Sequence, residues 1–222
     1  MRMSAIVPHI TLESGRNPQH SIIWLHGLGA DGGDFVPVVD ELRLPVAVRY
    51  LFPDAPLRPV TINGGMVMRA WYDIASPSIA AQQDAAGIQA SQSLIEELIA
   101  QEMQRNIKPG NIFLAGFSQG GAIALHTALR QPVSLGGVLA LSTYLPLADR
   151  TAGEAQPGTR DTPIFMAHGR SDPVIPRELG AGSRDALLEL GYTVDWHEYD
   201  MQHSVCEEEL RDIEAWLAQQ TG

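Results

Sequence analysis

One cysteine, Cys206, stands in the 222 residues. A disulfide within the chain is therefore impossible, and zinc sites built from several thiolates are excluded. Positive charge is also scarce, with 15 Lys and Arg against 26 Asp and Glu and a formal charge of −11. That sign repels phosphate backbones and anionic membrane surfaces, so neither nucleic acid nor membrane is an expected partner. Nowhere do about 18 apolar residues run together, which leaves no helical membrane span. The opening MRMSAIVPHITLESG holds one arginine and an apolar stretch too short and too interrupted for a secretion signal, and this points to the cytoplasm. The seven histidines show no H-E-x-x-H or similar spacing, so no metal site is expected. What is present is ordinary globular composition, 45% apolar and 18% charged, enough for a single domain over 1–222 with a sizeable core.

Short apolar runs bounded by Gly, Pro, Asp or Asn recur at Ile6 to Leu12, Ile22 to Leu25, Val46 to Phe52, Ile112 to Phe117, Gly137 to Leu141, Ile164 to Ala167 and Val194 to Tyr199. They read as strands. Helical periodicity lies between them, over Asp34 to Leu42, Ala80 to Arg105, Gln119 to Arg130, Pro176 to Leu190 and Glu207 to Gln219. Alternating strands and helices, with continuous apolar strands, predict an α/β fold in which a mostly parallel central sheet carries helices on both faces. Its site belongs at the strands' C-terminal ends. A long connection at about 53–77 holds Pro56, Pro59, Gly64 and Gly65 yet keeps apolar weight, so it reads as a lid-like insertion. Asp149 to Thr162 reads as a plain surface loop.

The sharpest chemical signal is Gly116-Phe117-Ser118-Gln119-Gly120, a G-x-S-x-G between a strand and a helix. A serine hydroxyl becomes a useful nucleophile when it stands exposed on such a tight turn and has a base at hand. In α/β-hydrolases the partners follow in the order serine, acid, histidine. Of the later histidines, His126 falls inside a helix and His197 inside the last strand, whereas His203 lies just past that strand's end. His168 also ends a strand, and Asp172 on the loop that follows is placed as the orienting acid. Leu25-His26-Gly27-Leu28-Gly29 leaves an early strand, where this fold supplies an oxyanion-binding amide, so the Leu28 and Gln119 N–H groups are the expected donors. Met66, Met68, Trp71 and Leu145 are candidates for an apolar acyl pocket. Cys206 reads as a small apolar residue, and Glu207 to Glu209 as acids suited to a helix N-terminus.

The segments His26-Gly27-Leu28-Gly29-Ala30-Asp31-Gly32, Ala70-Trp71-Tyr72-Asp73, Gly116 to Gly121, Leu141-Ser142 and His168-Gly169-Arg170-Ser171-Asp172-Pro173-Val174 span nearly the whole chain in order. Together they resemble the motifs of the carboxylesterase, lysophospholipase and acyl-protein thioesterase family. The resemblance implies a small α/β-hydrolase fold, Ser118, Asp172 and His203 as a catalytic triad, Leu28 and Gln119 as backbone donors, and no cofactor. It is compatible with a homodimer, and with short to medium acyl esters, acyl thioesters or lysophospholipids as substrates. One departure is Gln202, where the family usually has glycine before the catalytic histidine.

Two other readings compete with a serine carboxylesterase. Gly27-Leu28-Gly29-Ala30-Asp31-Gly32 is a literal G-x-G-x-x-G, and Asp54 lies 22 residues beyond it, as in an NAD(P)-dependent oxidoreductase. Against this, Pro53 precedes the acid and the serine elbow goes unexplained. The other reading is a hydrolase-fold protein that binds a ligand without turning it over.

Overall fold

A computed structural model describes residues 7–76 and 83–222. Seven of its strands form one sheet: β1 (His9–Glu13), β2 (His20–Leu25), β3 (Val48–Pro53), β6 (Ile112–Phe117), β7 (Gly137–Leu141), β8 (Ile164–Gly169) and β9 (Val194–Tyr199). Their order is β1-β3-β2-β6-β7-β8-β9; β1 runs antiparallel to β3 and every other pairing is parallel. The central strands are buried along almost their whole length because both faces are covered.

Strand side chains alternate between the faces, so each apolar run feeds two layers. Ile23, Leu25, Leu114, Val138 and Met166 belong to one core, with side chains from α2 (Ala85–Gln104), α3 (Gln119–Ala128) and α5 (Arg177–Glu189). Ile22, Trp24, Phe113, Leu139 and Phe165 belong to the other, with α1 (Val38–Glu41) and α6 (Glu207–Thr221). Full burial of each large side chain contributes about 1.5–3 kcal/mol, so a polar substitution on either face is costly. After β2 the chain winds outward to β3, and from β6 it winds the other way through β9. The loops leaving β2 and β6 therefore diverge at a switch point, where this class of sheet opens a crevice.

Element by element, the strand expectations match the seven sheet strands, with Ile6 outside the described residues. Of the Ala80 to Arg105 helix, the structure describes α2 from Ala85; Asp84 caps it by accepting the Gly87 N–H at 2.9 Å, and residues 80–82 lie outside the described set. Three expectations are corrected. Asp34 to Leu42 forms only the short α1 preceded by turns, since Pro37 stands at its start. The connection at 53–77, of which residue 77 is not described, contains an antiparallel hairpin, β4 (Leu57–Val60) with β5 (Met66–Arg69), closed through Gly64 and Gly65 at positive φ. Asp149 to Thr162 is no plain surface loop: it holds α4 (Ala148–Glu154) and a single 3-10 turn, Pro157–Thr159. Its threonines at 151, 159 and 162 are buried with their hydroxyls satisfied, Thr159 Oγ1 lying 2.8 Å from the Tyr192 hydroxyl and Thr162 Oγ1 accepting the Leu135 N–H. Polar composition concealed that burial.

Candidate active site

Ser118 sits between β6 and α3 at φ 54°, ψ −120°, a conformation non-glycine residues rarely adopt. Holding it costs about 1–3 kcal/mol and needs surrounding contacts that fix it. Here the Ser118 N–H donates to Leu141 O at 2.9 Å, and the Thr143 hydroxyl donates to Ser118 O at 2.6 Å. The turn also requires α3 to press against β2: a side chain at Gly120 would begin 2.4 Å from the Leu25 carbonyl oxygen.

Two further loops converge on the serine. Beyond β8, Asp172 is buried and its Oδ1 accepts the N–H groups of Val174 and Ile175 at 2.8 and 2.9 Å. Beyond β9, His203 stacks obliquely on Phe117, with ring centroids 4.7 Å apart. Its Nδ1 lies 2.7 Å from Asp172 Oδ2, and its Nε2 lies 2.9 Å from Ser118 Oγ. Because a carboxylate only accepts, Nδ1 carries the proton and Nε2 is left as the acceptor for the serine hydroxyl. That arrangement can withdraw a proton from Ser118 as it attacks an electrophilic carbon.

Gln202 fits the histidine loop without strain. It is exposed and is not among the residues at positive φ, so its position does not demand glycine. Clearance is supplied opposite it, where a side chain at Gly169 would begin 2.3 Å from the Gln202 carbonyl oxygen. The two loops are joined by the Arg170 N–H to Tyr199 O and the Ser171 N–H to Met201 O.

The loop after β2 carries Leu28 between two fixed neighbours. The Gly29 N–H donates to Arg69 O at 2.9 Å and the Ala30 N–H to Gly27 O at 3.3 Å. Gln119 is the first residue of α3, where a backbone N–H has no acceptor within the helix and is open to an anion. His26 is structural: Nδ1 donates to Gly27 O at 2.7 Å and Nε2 accepts the Ala55 N–H at 3.0 Å. Burial lowers its pKa and outweighs the opposing bond to Gly27, consistent with a neutral ring.

Several supporting groups carry no motif signal of their own. The Gln119 carboxamide bonds the backbone at Trp71 and Tyr72, and His168 Nε2 donates to Ile175 O at 2.9 Å beside Asp172. The Tyr72 and Tyr144 hydroxyls pair at 2.8 Å, and burial pushes Tyr144 up to about 12 and Tyr72 upward too, so both stay protonated.

The four pocket candidates have different surroundings among the described residues. Trp71 is fully buried with its indole N–H donating to His26 O at 2.9 Å, so its placement in a pocket is corrected to a structural one. Met66 is exposed on β5, while Met68 on the same strand is partly buried, its sulfur 3.7 Å from where a Gly29 side chain would begin. Leu145 alone of the four lines a cleft of about 320 Å³, with Tyr144, Leu179 and Ser183.

The G-x-G-x-x-G loop is accounted for within the protein. Asp54 Oδ1 accepts the Gly32 N–H at 2.9 Å and Oδ2 pairs with Arg69 at 2.9 Å, which commits the acid a nucleotide ribose would need. Among the described residues no group of three or more His, Cys, Asp or Glu side chains could hold a metal ion, and no helix is long and apolar enough to cross a membrane.

Residues 8–221 match the family model described as phospholipase/carboxylesterase. The chain is similar to acyl-protein thioesterase 1 of Yarrowia lipolytica, 39% identical over 204 residues that cover 89% of this chain and 90% of the relative. Among solved structures it is similar to Arabidopsis thaliana SOBER1, with a TM-score of 0.87 and 32% identity over 91% of this chain and 99% of that one. Acyl-protein thioesterase 2 of Zea mays gives a TM-score of 0.82 and 30% identity over 96% and 99%. Two of these three are named as thioesterases, and the oxidoreductase reading finds no support among them.

Proposed function

The chain belongs to the phospholipase/carboxylesterase family, and from that premise we propose that it hydrolyses acyl esters of short to medium chain length through Ser118, His203 and Asp172. The observation that carries the proposal is the continuous hydrogen-bond path from Ser118 Oγ through the His203 ring to Asp172, at 2.9 and 2.7 Å.

In this mechanism His203 Nε2 takes the Ser118 proton as Oγ adds to the acyl carbon. The oxygen that becomes negative is received by the Leu28 and Gln119 amides. Losing one such donor typically costs about 10² to 10³ in rate. Collapse of the adduct breaks the bond to the alcohol, which leaves with the proton from His203, and the acyl group stays on Ser118. Water deprotonated by His203 then attacks the same carbon, the bond to Ser118 Oγ breaks as Oγ takes the proton back from His203, and the acid departs. Asp172 keeps the imidazole in the one tautomer that serves both halves.

Acyl thioesters follow as a second substrate class, favoured by the names of the relatives. A thiolate leaves more readily than an alkoxide and asks less of the general acid, so the same groups suffice. The 1–222 chain acts in this proposal as one domain, with the hairpin within 53–77 overhanging the site and Leu145 bounding the acyl chain. The test is a matched series of acetyl, butyryl, octanoyl and palmitoyl oxyesters and thioesters. A maximum at short to medium length supports the proposal, and a flat response across the series contradicts a bounded acyl pocket.

A further inference from the structure

The two amides assigned to the developing oxyanion lie on different loops, and nothing within either loop fixes their separation. One buried segment touches both. Arg69 O accepts the Gly29 N–H at 2.9 Å, and the Trp71 indole N–H donates to His26 O at 2.9 Å, so this segment grips the Leu28 loop on either side of Leu28. On the other side, the Trp71 N–H donates to Gln119 Oε1 at 2.8 Å and Gln119 Nε2 donates to Tyr72 O at 2.7 Å. Ala70, Trp71, Tyr72 and Gln119 are all buried, and the Ser91 hydroxyl of α2 holds the Trp71 carbonyl from behind.

Taking the proposed function as given, we infer that residues 69–72 are a strap that sets the spacing of the oxyanion donors, and that the Gln119 side chain is a positioning residue for the reaction. The carboxamide uses its acceptor on the Trp71 N–H and its donor on the Tyr72 carbonyl, groups of two consecutive residues, and so fixes both the distance and the rotation of the α3 N-terminus relative to the strap. Its own backbone N–H is one of the two donors. The strap's other end fixes the loop that presents the second. An oxyanion donor works only when its N–H lies about 2.7–3.1 Å from where the charge forms, so a shift of a few tenths of an ångström matters in the transition state and hardly at all for the ground-state ester.

Two variants cut the two ends separately. Gln119→Met keeps the side-chain length and the backbone N–H but removes both strap bonds, and Trp71→Phe keeps an aromatic ring but removes the bond to His26. With p-nitrophenyl butyrate, each is expected to lower kcat by about 10- to 100-fold with KM within about threefold, the signature of an interaction made in the transition state. The pH–rate midpoint should stay where it is in wild type, since the proton-transfer groups are untouched. Inhibition by phenylboronic acid, whose tetrahedral adduct on Ser118 would place an oxygen between the two amides, should weaken in step with kcat/KM. Because both changes act on one strap, the double variant should lose less than the product of the two single losses.

A lowered melting temperature with unchanged kcat and boronate affinity, or a rise in KM alone, would overturn the inference. Should Gln119→Met fail to fold, Trp71→Phe and Ser91→Ala carry the same kcat-against-KM decision. Failure of the underlying function is separately visible: Ser118→Ala would then retain turnover, whereas failure of the strap leaves a Ser118-dependent enzyme indifferent to Gln119 and Trp71.

Discussion

Asp172 Oδ2 lies 2.7 Å from His203 Nδ1, while its Oδ1 is held by two backbone N–H groups, those of Val174 and Ile175. The carboxylate cannot rotate without giving up both, so the orientation of the imidazole is set by the backbone of the loop after β8. Asp172→Asn tests this relationship. Its amide can turn an N–H toward His203 Nδ1, which favours the tautomer protonated on Nε2 and so unable to accept from Ser118. The expected loss in kcat is about 10³- to 10⁴-fold with a fold unchanged by circular dichroism. A loss under tenfold would show that Asp172 does not control the tautomer.

His126 on α3 is 1% exposed, and neither ring nitrogen has a partner among the described residues. Burial, assisted by the nearby Arg130 charge, pushes its pKa down to about 3. The unfolded chain, with an ordinary value near 6.5, binds this proton first, so stability is present above about pH 6.5 and is lost as pH falls toward 3. His126→Leu should flatten that part of the profile. The check is the urea midpoint at pH 7 and pH 4.5: the drop between them is expected to be smaller in the variant, and an equal drop would remove His126 from the acid instability.

Glu209, in the first turn of α6, is fully buried, and burial with the Asp212 charge nearby pushes its pKa up to about 8. Here the sign reverses. The folded protein holds the proton more tightly than the unfolded one, so this group's contribution is full below about pH 4.5 and is lost as pH rises through 8. Glu209→Gln keeps the shape without the titration, and should match wild type in melting temperature near pH 5 while exceeding it at pH 9. Parallel curves for the two proteins over that range would contradict the assignment.

Leu145 bounds the cleft beside Tyr144, and its backbone N–H is held by the Ser183 hydroxyl at 2.8 Å. Under the proposed function Leu145 bounds the acyl chain, and a larger side chain there should then shorten the chain that fits. Leu145→Trp is expected to cut kcat/KM for an octanoyl ester by about tenfold or more, while an acetyl ester changes by less than about threefold. Equal losses on both substrates would move the acyl-binding surface elsewhere.

The sheet was legible because its strands are long apolar runs, Ile112 to Phe117 and Gly137 to Leu141 among them, that only burial on both faces explains. Ser118 stood out through its glycines, and His203 and Asp172 through their places just past strand ends. The β4–β5 hairpin was missed although Gly64-Gly65 marks its turn, because Pro59 suits only an edge strand and disguised the first half. Buried Thr151 and Thr159 hid α4 and the turn after it, since composition does not reveal a hydroxyl that has a backbone partner. Trp71 was misplaced for a related reason. Its ring looked like pocket lining, and the groups it hydrogen-bonds, on His26 and Gln119, are 45 and 48 residues away. Contacts at that separation have no local pattern.

Hydrolysis of p-nitrophenyl butyrate by wild type and by Ser118→Ala, both shown to be folded by circular dichroism, bears most directly on the proposed chemistry. Wild type should turn over, and the variant should fall to the residual rate that oxyanion and substrate binding alone can give, about 10³-fold or more below it. Hydrolysis by Ser118→Ala at the wild-type rate would mean that the serine held by His203 and Asp172 is not the nucleophile.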